Sequence, residues 1–165
     1  MQIIFKENDG YTLNRLEYEA LWEKYGNVIQ KAFEKVTGLP FKEEKIIGIV
    51  GDYKSNYAGD NTEQPMLFRY SVRHKLGTIM HELSHRLLLE YRFNYKGTVD
   101  NDHELIDLFL HDVIKEAFGE AAADERMNYE MTFPETEIPC AWKKIMKYSV
   151  KDRYSLLEKI KADTK

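Results

Sequence analysis

The stretch TIMHELSHRLL, residues 78–88, carries two histidines four residues apart and a glutamate directly after the first. Apolar residues recur at helical spacing around it, which predicts a helix over about Arg73–Tyr91. At about 100° per residue, His85 lies about 40° from His81 on the helical wheel, opposite the apolar residues. The pattern predicts a helix that buries its apolar face and turns both imidazoles towards a cleft.

Imidazoles at this spacing can share a metal ion. Residues four apart stack on one helix face, so His81 and His85 can both reach a zinc ion at about 2.0–2.1 Å. Glu82 points about 100° away from His81, where it can act as a general base rather than as a ligand. We predict zinc ligands at both histidines and a catalytic base at Glu82. The alternative is a helix whose histidines have no chemical role.

A second helix, predicted over about Asn101–Phe118, offers a further ligand. Its first part, DNDHELIDLFLHD at 100–112, begins with a cap rich in Asp and Asn. Four polar side chains fall within one quarter of its helical wheel: His103, Glu104, Asp107 and His111. Apolar residues fill much of the remainder, so the polar stripe runs along a helix that is otherwise buried.

These motifs resemble those of the small zincin-type metallopeptidases, and they are similar to the compact minigluzincins. In such proteins HExxH lies on one helix and the third zinc ligand comes from a following helix. The resemblance covers residues 65–118. It implies a zincin-like fold, one zinc ion and hydrolysis of peptide bonds with Glu82 as general base. The elongated metzincin pattern is absent, because Tyr91 occupies the position of its third histidine.

The resemblance leaves two candidates for the third ligand. In one common gluzincin form 18 residues separate the second histidine from a ligand glutamate, and this spacing leads to Glu104. In another pattern an aspartate four residues after the ligand hydrogen-bonds the first zinc histidine. His103 fits this pattern through Asp107, whereas Leu108 stands four residues after Glu104. We favour His103, with Asp107 orienting His81, and keep Glu104 as the alternative.

The element order predicts an α+β protein. A long amphipathic helix is expected over about Leu13–Thr37, ended by GLP at 38–40. KIIGIVG at 45–51 is typical of a buried strand, and PMLFRYSV at 65–72 of an edge strand that begins with proline. Further helices are predicted near 121–128, 141–148 and 151–162. We predict one zincin-like domain over 1–165, with an N-terminal helix, a small sheet, the active-site helix, the third-ligand helix and a helical C-terminus.

The composition limits which compartment and which partners we expect. The chain has 165 residues, 43% of them hydrophobic, which suffices for a packed core. Its net charge of −4 provides no basic excess, so nucleic acid is not an expected partner. No 18-residue apolar run exists, and no membrane span is expected. A single cysteine, Cys140, fits a reducing compartment, and we expect a cytoplasmic protein.

The strand at 65–72 directly precedes the active-site helix. In zincins such a strand rims the cleft, so the resemblance implies that it pairs with an extended peptide substrate. An ordinary edge strand is the alternative. The expected oxyanion donor has five candidates among which the sequence does not choose: Arg86, Tyr95, His111, Tyr148 and Tyr154.

Three other functions remain open. The first is a zincin-like, metal-binding regulatory or interaction domain with narrow specificity or no catalysis. The second is a zinc hydrolase that acts on a non-peptide amide. The third is a metal-free helical interaction protein.

Overall fold

The computed structural model describes residues 1–8, 10–55, 62–133 and 136–164. These residues form seven α-helices and three β-strands, which confirms the α+β class. They divide into two compact units, Met1–Glu90 and Tyr91–Lys165. The single domain over 1–165 stays a prediction. No helix in the described part of the chain is long and apolar enough to cross a membrane.

The first unit contains a three-stranded parallel sheet. Its strands are β1 (Gln2–Glu7), β2 (Lys45–Gly51) and β3 (Met66–Arg69), in the order β1-β2-β3. In the register, Ile4 of β1 pairs with Ile47, and Ile49 pairs with Leu67 of β3. The prediction of β2 is confirmed at both ends, and β3 is an edge strand as expected, although it is shorter than 65–72.

The first strand is a correction, because the sequence predicted that the fold would begin with a helix. In β1, Ile3 and Phe5 are buried and alternate with exposed residues, as in a strand with one covered face. The alternation is too short to stand out beside the helical pattern that follows. Helix α1 (Thr12–Thr37) then makes the connection to β2 that a parallel pair needs.

Helix α1 lies against the sheet through an aromatic cluster. The ring of Tyr18 stacks on Phe5 at 5.5 Å between centroids and lies 5.2 Å from Phe68. The helix ends at Gly38, whose φ of 70° suits glycine and whose N–H donates to the carbonyl of Glu34. The predicted stop at GLP is therefore confirmed. The cluster joins α1, β1 and β3 into one core.

Helix α2 (Lys75–Tyr91) carries the two histidines and is more deeply buried than expected. The wheel predicted one buried face and one open face, but every residue from Thr78 to Leu88 is buried. The polar face is covered as well as the apolar one, and the cleft predicted beside the histidines stays a prediction. This helix is the element that positions the candidate site.

The second unit is helical. Its helices are α3 (Asp102–Asp107), α4 (Leu110–Phe118), α5 (Glu120–Glu130), α6 (Ile138–Ile145) and α7 (Val150–Asp163). Helix α3 packs against α6, and α4 packs against α5. The N-terminal cap of α3 is confirmed, because the Asn101 side chain accepts the N–H of Glu104 at 2.9 Å.

The single helix predicted over Asn101–Phe118 is wrong, because the chain turns between α3 and α4. The N–H groups of Leu108 and Phe109 bond to carbonyls three residues back, at 3.3 and 3.1 Å. Phe109 leaves the helical region at a φ of −132° before α4 begins. Apolar residues continue through the turn, so the hydrophobic pattern does not reveal it.

Candidate metal centre

His81 and His85 form a buried pair on α2. Their ring centroids lie 5.0 Å apart at an interplanar angle of 62°, and their exposed fractions are 6% and 5%. Two imidazoles that bind one tetrahedral zinc at about 2.0–2.1 Å place their centroids about 5 Å apart. The pair therefore has the separation that two ligands of one zinc ion require. The predicted i, i+4 juxtaposition is confirmed.

Glu82 follows His81 on the same helix and is equally buried, with 6% of its surface exposed. A carboxylate is a costly group to bury, and such groups are usually retained for pairing or for chemistry. The sequence therefore places a candidate base and two candidate ligands in one short buried stretch.

Arg86 fixes α2 within the first unit. Its guanidinium, 1% exposed, forms two hydrogen bonds to the Glu43 carboxylate, from Nε at 2.6 Å and Nη2 at 2.8 Å. It also donates to the carbonyl oxygens of Thr62 and of Gln64. These bonds tie the helix to the segment that precedes β2 and to the segment that precedes β3. Arg86 is thus committed to a structural ion pair rather than to an oxyanion.

His103 lies near the start of α3 in the second unit. Its Nδ1 is 2.8 Å from Oε1 of Glu137, the residue just before α6. A carboxylate at this distance accepts the Nδ1–H of the ring. Sequence reasoning missed Glu137, because it lies far along the chain from His103. The only signal is a glutamate directly before a helix that starts with Ile-Pro.

Glu104, the alternative third ligand, is engaged in an ion pair. Its Oε2 accepts the Lys144 ammonium at 2.6 Å and the backbone N–H of Asp100 at 3.0 Å. Lys144 also contacts the Asp100 carboxylate at 2.7 Å, and these two carboxylates raise the pKa of the lysine. A metal at Glu104 would have to displace this cation. The donor chemistry therefore favours His103.

Asp107 is a buried carboxyl group near the end of α3. Among the residues that the structure describes, neither of its oxygens has a hydrogen-bond partner. Burial, together with the negative charges of Glu130 and Glu104, raises the pKa of Asp107 well above its usual value. Glu130 itself is paired, since it accepts Nε of Arg126 at 2.8 Å and Nε1 of Trp142 at 2.6 Å. Buried carboxyl groups usually have a hydrogen-bond partner, and Asp107 is an exception among the described residues.

A second group of potential ligands lies between α4 and α5. One ligand atom from each of His111, Glu120 and Asp124 falls within 4.8 Å of the others. Nε2 of His111 is 2.9 Å from Asp124, and hydrogen bonds to Asp112 and Asp124 raise the pKa of the imidazole, partly offset by burial. Glu120 of this group is paired with Lys115. These contacts describe an ion-pair cluster.

The predicted oxyanion donors differ in their availability. Besides Arg86, two of the five are engaged with carboxylates: Tyr95 donates to Asp102, and His111 bonds to Asp124. Burial raises the pKa of the Tyr154 hydroxyl, and Tyr148 is exposed.

The predicted edge strand offers little backbone for a peptide. The N–H of Arg69 donates to the Ser55 hydroxyl at 3.0 Å, and its carbonyl accepts the Tyr18 hydroxyl at 3.0 Å. Alternate residues of a strand direct their backbone groups to the same side, so Leu67 is the other residue of β3 that faces away from β2. Pairing of a substrate at 65–72 stays a prediction, and it would rest on few hydrogen bonds.

Comparisons of this chain with protein-family models, with curated proteins and with solved structures find no significant match. The fold and the site define an α+β protein with a buried histidine pair of metal-ligand type on one helix. Any assignment of a metal or an activity must therefore be argued from the residues of this chain.

Proposed function

We propose that this chain is a zinc-dependent peptidase. His81 and His85 would hold one zinc ion together with His103, and Glu82 would be the general base. Asp107 would orient His81 by accepting a hydrogen bond from its ring. A neutral imidazole offers one nitrogen lone pair to a metal ion.

The observation that carries this proposal is the His81–His85 pair with Glu82 beside it. Its centroid separation of 5.0 Å matches two ligands of one ion. Burying two imidazoles and a carboxylate costs free energy unless these groups are paired or coordinate an ion. HExxH on a helix is the arrangement in which zinc peptidases combine two ligands with a base.

Two observations in the second unit support the choice of His103 as the third ligand. The ring of His103 already binds a carboxylate through Nδ1, which is the usual arrangement of a metal-ligating histidine. Its competitor Glu104 is bound to Lys144. Asp107 is buried and has no hydrogen-bond donor among the described residues, so its role in orienting His81 stays a prediction from the sequence.

In the proposed reaction, the zinc ion and the side chains of the protein have different roles. Zinc, when bound, supplies a Lewis acid that polarises a carbonyl group and acidifies water. Glu82 accepts a proton from the water that attacks the scissile carbonyl carbon. As the C–N bond breaks, Glu82 returns this proton to the leaving amine nitrogen, so the products are one carboxyl group and one amine.

One observation favours the second candidate, a metal-binding regulatory or interaction domain with narrow or no catalysis. His81, Glu82 and His85 are each no more than 6% exposed. A peptidase needs a general base that its substrate can reach, whereas a binding domain does not. Substrate access is therefore the point at which the two candidates differ.

Glu82→Gln tests the proposal. We expect the variant to retain zinc and to lose cleavage of a peptide library, analysed by mass spectrometry, by about 10²–10⁴-fold. Glu90→Gln, the same change on the same helix, is the control and should cleave as the parent does. Cleavage by Glu82→Gln at the parental rate would contradict the assigned base. Zinc binding without cleavage in the parent would favour the binding domain.

A further inference from the structure

We infer that Glu137 is a positioning residue for His103, which it holds with the proton on Nδ1 and the lone pair on Nε2. This inference rests on the proposed function, because His103 is a ligand only there. It adds a residue that the HExxH motif does not contain. The contact joins two elements of the second unit, α3 and α6.

The contact has the geometry of a directed hydrogen bond. Nδ1 of His103 and Oε1 of Glu137 are 2.8 Å apart, within the range of charge-assisted bonds. The His103 side chain is 20% exposed, whereas that of Glu137 is 54% exposed. The imidazole is therefore held in a mainly buried position, and the carboxylate reaches it from the surface.

The backbone of Glu137 is anchored at the start of α6. Its carbonyl accepts the N–H groups of Cys140 and Ala141, both at 3.0 Å. Pro139 lies in the first turn, where its fixed φ suits a helix start. The partial positive charge of the helix N-terminus attracts a negatively charged side chain at this position. Glu137 is thus an anchored acceptor.

The same helix also holds the neighbouring candidate ligand. Lys144, near the other end of α6, pairs with Glu104, the residue after His103. Helix α6 and the residue that precedes it therefore contact two successive residues of α3 with side chains of opposite charge. They give His103 an acceptor, which suits a neutral ligand imidazole, and give Glu104 a cation, which opposes metal binding.

Imidazole chemistry links this contact to zinc. A neutral imidazole has one N–H and one lone pair, and the partner of one nitrogen decides which nitrogen carries the proton. An acceptor at Nδ1 therefore directs the lone pair to Nε2, fixes the ring and increases its basicity as a ligand. The alternative is a surface ion pair between a protonated His103 and Glu137, which would be of little energetic value.

The tautomer of His103 gives a test that needs no metal. We expect ¹⁵N–¹H NMR of the metal-free protein, at a pH where the ring is neutral, to show His103 with the proton on Nδ1. His103→Ala identifies its signals by their loss. In Glu137→Ala the proton should move towards Nε2. An Nε2–H tautomer in the parent, or an unchanged tautomer in Glu137→Ala, would overturn the inference.

Zinc affinity, measured by competition with a chromogenic chelator, gives the second test. Glu137→Ala should weaken zinc binding by about 10–100-fold, and Glu137→Gln, which keeps an acceptor oxygen, by less. Glu158→Ala removes an exposed glutamate of the same unit and should bind as the parent does. In a His103→Ala background, Glu137→Ala should have no further effect.

The outcomes separate the inference from the function on which it rests. A parent that binds zinc, with equal affinity in Glu137→Ala, would overturn the role of Glu137 alone. Equal losses from Glu137→Ala with and without His103 would show a general structural effect and would also overturn it. A parent that binds no zinc would overturn the proposed function, and the role of Glu137 with it.

Discussion

At the scale of single residues, the chain is defined by buried polar groups and by what each one contacts. Arg86 donates hydrogen bonds to Glu43 and to two carbonyl groups. Glu104 accepts one from Lys144. The sequence predicted a polar stripe on the second ligand helix but not these partners. A partner that lies many residues away in the chain leaves no local pattern, and this is why Glu137 was not expected.

Arg86→Met should destabilise the protein strongly, because it leaves Glu43 without its bidentate partner and two carbonyl groups without a donor. We expect a loss of about 3 kcal/mol in the free energy of unfolding, measured with urea. Arg15→Met is the matched control, because Arg15 pairs with Glu7 and Glu19 near the surface, and its loss of stability should be clearly smaller. Equal losses in both variants would contradict the role of Arg86.

Glu90 should make stability depend on pH. Burial, and to a lesser extent the charge of Glu43, raises the pKa of Glu90 from 4.5 to about 6, although the backbone N–H of Lys42 lowers it. The folded chain therefore binds this proton more tightly than the unfolded chain does. Consequently, the Glu90 contribution to the free energy of unfolding falls as the pH rises from about 4.5 to about 6.

Urea denaturation of the parent and of Glu90→Gln between pH 4.5 and pH 7 checks this dependence. The variant should gain roughly 1 kcal/mol relative to the parent over the interval, after solvent screening is allowed for. Glu158→Gln, at an exposed position, should show no such gain. A relative loss in Glu90→Gln as the pH rises would contradict the assigned direction.

At the scale of elements, the strongest local patterns were reliable. β2 was predicted at both ends and α1 within a residue, because a buried apolar run and a glycine cap determine them. β1 was missed because its alternation spans few residues. The turn between α3 and α4 was missed because hydrogen bonding changes there while the apolar pattern continues. In the candidate site, the i, i+4 spacing predicted that His81 and His85 lie side by side.

Gly48→Ala should destabilise the sheet. A methyl group at Gly48 would lie 2.9 Å from the ring of Phe68 and 3.0 Å from that of Phe5. These rings belong to the strands on either side of β2, so both must shift, and we expect a loss of about 1–3 kcal/mol in thermal or urea denaturation. The Gly48→Ala, Phe5→Leu double variant should lose less than the sum of the single losses. Strict additivity would contradict a shared collision.

At the scale of the whole molecule, composition limited which partners could be expected, but it did not identify a reaction. The absence of a basic excess argues against nucleic acid as a main partner, and the chain has no described helix that could span a membrane. Substrate, compartment and oligomeric state depend on surfaces that neither charge nor periodicity identifies. The proposed function therefore depends on whether this chain binds zinc through three histidines.

The most direct measurement of that claim is the zinc content of the parent, His103→Ala and Glu104→Gln after reloading and identical dialysis. We predict about one zinc per chain in the parent and in Glu104→Gln, and loss of zinc in His103→Ala, because two imidazoles alone bind weakly. Zinc retained by His103→Ala but lost from Glu104→Gln would assign the third ligand to Glu104. No zinc in the reloaded parent would contradict the zinc site and the peptidase function.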